Sequence, residues 1–219
     1  MISTIVLPDF DLPTRSASGF ILRYISPRIV EPAQLLSLFA RRATFNLFAS
    51  RSDFLLGVGH GDEYSYGGQN EEDILVANNY DPHLVEGKVI KLLACRTGVV
   101  LGPDLIQKGA TAYMGYVDDY VWIVDADLHR TPWSDPYAAT CMLPVINGLN
   151  ALLDGATCQE AFNIEICGYQ VNAEIEEDEL MRSCLEFNYE NAILLGDPGA
   201  VIHARPDIRI PLPPPPIFF

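Results

Sequence analysis

The sequence predicts an α/β protein with a mostly parallel sheet, and two stretches carry that expectation. Residues 88–116 read as an apolar strand (89–94), a short helix (103–108) and a second strand (110–116). Strand, helix and strand with short joins make a βαβ unit, which requires parallel strands and a right-handed crossover. An earlier apolar run, Phe54-Leu55-Leu56-Gly57-Val58-Gly59, leads into His60-Gly61-Asp62-Glu63, while the first strand of the βαβ unit leads into Cys95-Arg96-Thr97-Gly98. Polar residues therefore follow two buried strands at the carboxyl edge, where open α/β sheets place their sites.

The remaining elements follow in chain order. Residues 2–7 form a first strand, closed by Pro8 and Pro13, and residues 20–25 read as a second, stopped by Ser26-Pro27. Glu31-Pro32 opens a helix, with proline in the tolerated first turn. Leu35, Leu36, Leu38, Phe39, Ala43 and Phe45 supply its apolar stripe. After the strand ending at His60, residues 64–70 with Gly67-Gly68 form a loop or hairpin tip, Ile74-Leu75-Val76 a short strand, and Asp81-Pro82 a turn. Gly109 stands where a helix C-cap belongs. Residues 117–136 are irregular and rich in Asp, Trp, Tyr and Pro, and connections of this length are usually functional. Helices follow over 137–153, 157–172 and 178–187, and the acidic run 174–179 is a solvated face or helix start. Asn191-Ala192-Ile193-Leu194-Leu195 is a final buried strand. The whole reads as one domain over 1–205, followed by an extended proline-rich tail over 206–219.

Composition narrows the function. A formal net charge of -15 opposes non-specific nucleic-acid binding, which needs Lys and Arg to displace counterions. No apolar run is long enough to span a membrane. The opening MISTIVLPDF lacks the basic start and apolar stretch of a secretory signal, so a cytoplasmic location is expected. Cys141, Cys158, Cys167 and Cys184 fall among helical apolar positions and are expected as small buried hydrophobes in a reducing compartment. No metal and no cofactor is expected. There is no CxxC pair, and His83, His129 and His203 have no ligand spacing to complete a site with His60. GxSxG, Walker and GxGxxG patterns are absent, and Leu101 stands where a phosphatase Cys-x5-Arg loop needs arginine.

Cys95 and His60 are the residues left with a chemistry. A thiolate is a strong nucleophile, and an imidazole beside it can hold its proton and later give one to a leaving amine. Both would rise from one sheet edge if their strands are neighbours. Gly61 allows a close backbone approach to a substrate carbonyl, and its N–H with that of Cys95 would form an oxyanion hole.

The pattern Leu-Leu-Gly-Val-Gly-His60-Gly61, then Leu-Leu-Ala94-Cys95-Arg-Thr-Gly98, then Gly109-Ala110 and Tyr-Met-Gly115-Tyr116, resembles the caspase-like cysteine peptidases, and most closely their gingipain and CHAT-type branch. Downstream, Leu152-Leu153-Asp154-Gly155-Ala156-Thr157 and the NAILLGDP segment over 191–198 resemble later parts of those proteins. The resemblance implies a three-layer caspase-like fold and a His60–Cys95 dyad. It implies a cysteine endopeptidase that cleaves a protein or peptide substrate through a thioester acyl-enzyme. It also implies two strands with an intervening helix before the histidine strand, and the loop joining 2–7 to 20–25 is too short for that helix. In such proteins the residue before the scissile bond enters a pocket walled partly by the loop that here begins at Val117. Asp118 and Asp119 would pair there with a basic side chain flanked by Trp122. Against this basic preference stands a competing view in which Arg23 or Arg28 reaches the pocket and selects Asp. The alternative to an enzyme is a non-catalytic or conditionally active interaction module under a regulatory partner protein.

Overall fold

Period-two alternation divides the central strands between two cores. On β6 (Val89–Leu93), Val89 and Leu93 face one core while Ile90 and Leu92 face another. β3 (Phe54–Val58) sends Phe54, Leu56 and Val58 to the first core and Leu55 to the second. β1 (Ser3–Leu7) and β7 (Ala112–Tyr116) repeat the division, with Ile5, Leu7, Met114 and Tyr116 opposite Val6 and Tyr113. A sheet apolar on both faces must be covered on both. The first face is covered by α1 (Leu12–Tyr24), α4 (Pro136–Leu153), α5 (Cys158–Ile175) and α6 (Glu179–Asn191). The second lies under α2 (Arg42–Ala49), α3 (Leu101–Gln107) and the antiparallel hairpin of β4 (Ser65–Gly67) and β5 (Asp73–Val76). The result is a three-layer α/β structure. The computed structural model describes residues 2–29 and 32–202, and the tail expected over 206–219 lies outside the described residues.

With β2 (Ala33–Leu36) and β8 (Ala192–Gly196) at its two edges, the sheet runs in the order β2-β1-β3-β6-β7-β8. Every neighbouring pair is parallel except β7 with β8. From β1 the chain passes through α1 outward to β2, then returns through α2 on the other face to β3, on the far side of β1. That reversal opens a crevice at the carboxyl ends of β1 and β3.

Two N-terminal expectations are corrected. Residues 20–25 are not a strand but the end of α1, a helix begun by the Asp11 N-cap with proline in its first turn. Ala17, Phe20 and Ile21, spaced three and four apart, are the helical stripe buried against the sheet. Residues 33–36 are not helical but the edge strand β2, on which only Leu35 is buried, and α2 starts later, at Arg42. The first fifty residues thus contain two strands with a helix between them before β3, and the expected departure from that order is not found. β8 is a half-buried edge strand and not the buried strand expected over 191–195. Among the described residues no helix is long and apolar enough to cross a membrane.

One buried charge interrupts the apolar strands. Lys91, in the middle of β6, is 1% exposed and donates to both carboxylate oxygens of Glu165 on α5, each at 2.8 Å. Tyr116 donates to the same carboxylate at 2.7 Å, and its hydroxyl lies 3.1 Å from that of Tyr169. Breaking a buried pair by removing one partner costs about 3–5 kcal/mol, because the other charge is left unpaired in a dry interior. Glu165→Ala is therefore expected to lower unfolding free energy in urea by about that much. The double replacement Lys91→Met, Glu165→Gln should recover most of the loss.

Candidate active site

β3 and β6 lie in register, Val58 opposite Leu93. Two residues beyond each pair member, just past the strand ends, stand His60 and Cys95. Both side chains line one cavity of about 280 Å³, with Pro13, Thr14 and Ala17 of α1 on one side and Tyr120, Trp122 and Val124 on the other. The sheet thus brings together the two residues singled out by chemistry.

Glycine is required where the His60 loop crosses the Cys95 turn. A β-carbon on Gly61 would lie 2.7 Å from the Cys95 carbonyl oxygen and 2.7 Å from a Thr97 methyl, both closer than such atoms approach. The loop pairs with 65–67 through the His60 carbonyl, which accepts from Gly67, and the Asp62 N–H, which donates to Ser65. The Gly61 N–H takes no part in that pairing.

A residue that sequence reasoning passed over completes the site. Asp11 Oδ2 lies 2.6 Å from His60 Nε2, and its Oδ1 caps α1 by accepting from the Thr14 N–H. The Phe10 ring meets the imidazole edge-on at 5.7 Å. Burial acts to raise the Asp11 carboxyl, but bonds from Thr14 and His60 outweigh it and hold the group below the usual carboxylate range. An N-cap carboxylate followed by proline, Asp11-Leu12-Pro13, is the local signal that could have placed it at a helix start beside the crevice.

Of the residues expected to build the specificity pocket, Trp122 lines the cavity and Asp118 and Asp119 do not. Arg96 lies 3.5 Å from Asp118 and 3.0 Å from Asp119, and its N–H donates to the Asp118 carbonyl. Arg96 itself adopts φ 56°, a left-handed conformation that costs a non-glycine residue roughly 1–3 kcal/mol and that clusters at active sites. Arg23 stacks over Trp133, and Arg28 bonds Asn150 and Asp154, so neither enters the cavity. The loop over 117–124 is tied down. Asn188 is fully buried and bonds both the N–H and the carbonyl of Val121, and Tyr120 donates to the Cys141 carbonyl at 3.1 Å.

The cysteines do not divide as the sequence implied. Cys141 and Cys158 are buried, with burial pushing their thiols up to about 12 and about 11, whereas Cys184 is half-buried and Cys167 exposed. Cys95 is half-buried. Burial raises its thiol, the backbone N–H of Tyr120 opposes the shift, the Asp119 charge adds to it and Arg96 opposes it. The net effect holds the Cys95 thiol above its ordinary value.

Comparison of the chain with protein-family models, curated proteins and solved structures finds no match.

Two outcomes follow from this geometry. Alkylation of Cys95 by iodoacetamide, followed by peptide mass spectrometry, should reach half its limiting rate above the roughly 8.5 of an ordinary free cysteine. Asp119→Asn should lower that midpoint, since removing a nearby negative charge favours the thiolate. Gly61→Ala should shift the Cys95 alkylation midpoint, because the clash pushes the His60 and Cys95 loops apart.

Proposed function

We propose that this chain is a cysteine endopeptidase of the caspase-like kind, with Cys95 as nucleophile, His60 as general acid/base and Asp11 orienting the imidazole. The observation that carries the reading is the convergence of His60 and Cys95 from adjacent parallel strands onto one cavity, with the Asp11 carboxylate on Nε2 of the imidazole. Asp11 holds the imidazole proton on Nε2 and leaves Nδ1 as the acceptor for the thiol. With the thiol protonated at rest, attack and proton transfer go together. The sulfur bonds to the substrate carbonyl carbon as His60 takes its proton. The oxyanion is met by the N–H groups of Gly61 and Cys95. His60 then protonates the amine as the C–N bond breaks, and water hydrolyses the thioester with His60 again as base. The substrate is a protein or peptide. Five free cysteines fit a reducing compartment such as the cytoplasm.

The raised Cys95 thiol favours a second reading, a caspase-like module that stays silent until a regulatory partner protein shifts the 117–124 loop. Hydrolysis of peptides by the isolated chain, abolished in Cys95→Ala, supports the first reading. No hydrolysis, with Cys95 left unlabelled by a peptidyl acyloxymethyl ketone, would favour the second.

The orienting role has its own test. Asparagine is as good an N-cap as aspartate, so Asp11→Asn should still fold, losing only the stability its charge supplies, while losing about 10²-fold or more in kcat. Asp11→Ala should lose activity and, in addition, about 1 kcal/mol of stability from the missing cap.

A further inference from the structure

The cavity beside the dyad is apolar, and its lining decides what it accepts. Ala17 from α1, Val58 and Leu93 from the strand ends, and Tyr120, Trp122 and Val124 from the loop form its walls. Among the described residues no Asp, Glu, Lys or Arg lines it. The nearby carboxylates of Asp118 and Asp119 are turned to Arg96, which is thereby held away from the cavity in its turn. At about 280 Å³ the space holds one large side chain and little more. His60 and Cys95 line the same space, so a side chain seated there lies beside both.

We propose that this cavity binds the side chain of the residue before the scissile bond, and that it selects a large apolar residue (Phe, Tyr, Leu or Met) over a charged one. The inference rests on the peptidase reading above and gives that site its substrate class. A guanidinium or carboxylate entering this space would lose its hydration and find no opposite charge to replace it. An aromatic or branched aliphatic side chain instead gains contact with Tyr120 and Trp122 and leaves water. The chain's net charge of -15 does attract cationic peptides, but that field acts on encounter and supplies no partner inside the cavity.

Matched fluorogenic peptides differing only at this residue read the preference directly. Phe or Leu should exceed Arg, Lys and Asp in kcat/KM by at least about 10-fold. Val124→Asp, checked for folding by its melting temperature, puts a carboxylate in the wall and should move the ratio toward Arg by at least about 10-fold. Preference for Arg or Asp in the unaltered protein overturns the inference, and so does a folded Val124→Asp protein with an unchanged ratio. Peptidyl chloromethyl ketones separate the inference from the reading beneath it, because alkylation of Cys95 needs no turnover. Phe-selective alkylation without peptide hydrolysis keeps the apolar site and sinks the peptidase. Hydrolysis with Arg-selective alkylation keeps the peptidase and sinks the apolar site.

Discussion

A lysine in the middle of the central strand can be buried only if something carries its charge, and much of the molecule is arranged around that need. Lys91 points into the same core as Val89 and Leu93, and Glu165 reaches down from α5 to meet it. The pair fixes how α5 sits on the sheet. Tyr116 shares the carboxylate, Tyr169 bonds Tyr116, and the Tyr169 hydroxyl donates to Tyr120 at 3.4 Å. A chain of buried polar contacts thus runs from the sheet centre to the base of the loop that carries Trp122 and Val124. Such a network is costly unless complete, so it holds the loop in one arrangement. Its upper end is the wall of the cavity beside Cys95.

Asp11 joins stability and chemistry in one side chain. One oxygen caps α1, which covers the first core, and the other fixes His60. Its lowered carboxyl means that the stabilisation is fully present above the ordinary aspartate range near about 3.9 and is lost as pH falls through the lower folded value. The His60–Asp11 contact is therefore in place throughout the neutral range. Opposite it, burial raises the Cys95 thiol above its ordinary value. The Tyr120 N–H and Arg96 limit that upward shift, while Asp119 enlarges it.

The parallel core was legible because its strands are short apolar runs, and because Gly109 marks a helix end with φ 93°. His60 and Cys95 were legible for the same reason, as polar residues terminating such runs. Residues 20–36 were not. Phe20-Ile21-Leu22-Arg23-Tyr24-Ile25 is composed like a strand, yet the capping box of Asp11 and Thr14 and the packing of Ala17, Phe20 and Ile21 make it helical. Local composition lost to tertiary packing there. Asp11 was missed because its partner is 49 residues away, a pairing created only by the sheet order. Asp118 and Asp119 were legible as acidic but not as already paired, since Arg96 reaches them only through the fold.

The central claim is that sheet register turns Cys95 and His60 into one catalytic unit. A peptidyl acyloxymethyl ketone, which reacts at appreciable rate only with a peptidase-activated cysteine, tests it most directly when the modified residue is mapped by mass spectrometry. The account predicts one adduct, on Cys95 and not on exposed Cys167, formed at least about 10²-fold more slowly in His60→Ala. Labelling of Cys167 at a comparable rate, or of Cys95 at the same rate without His60, would contradict it.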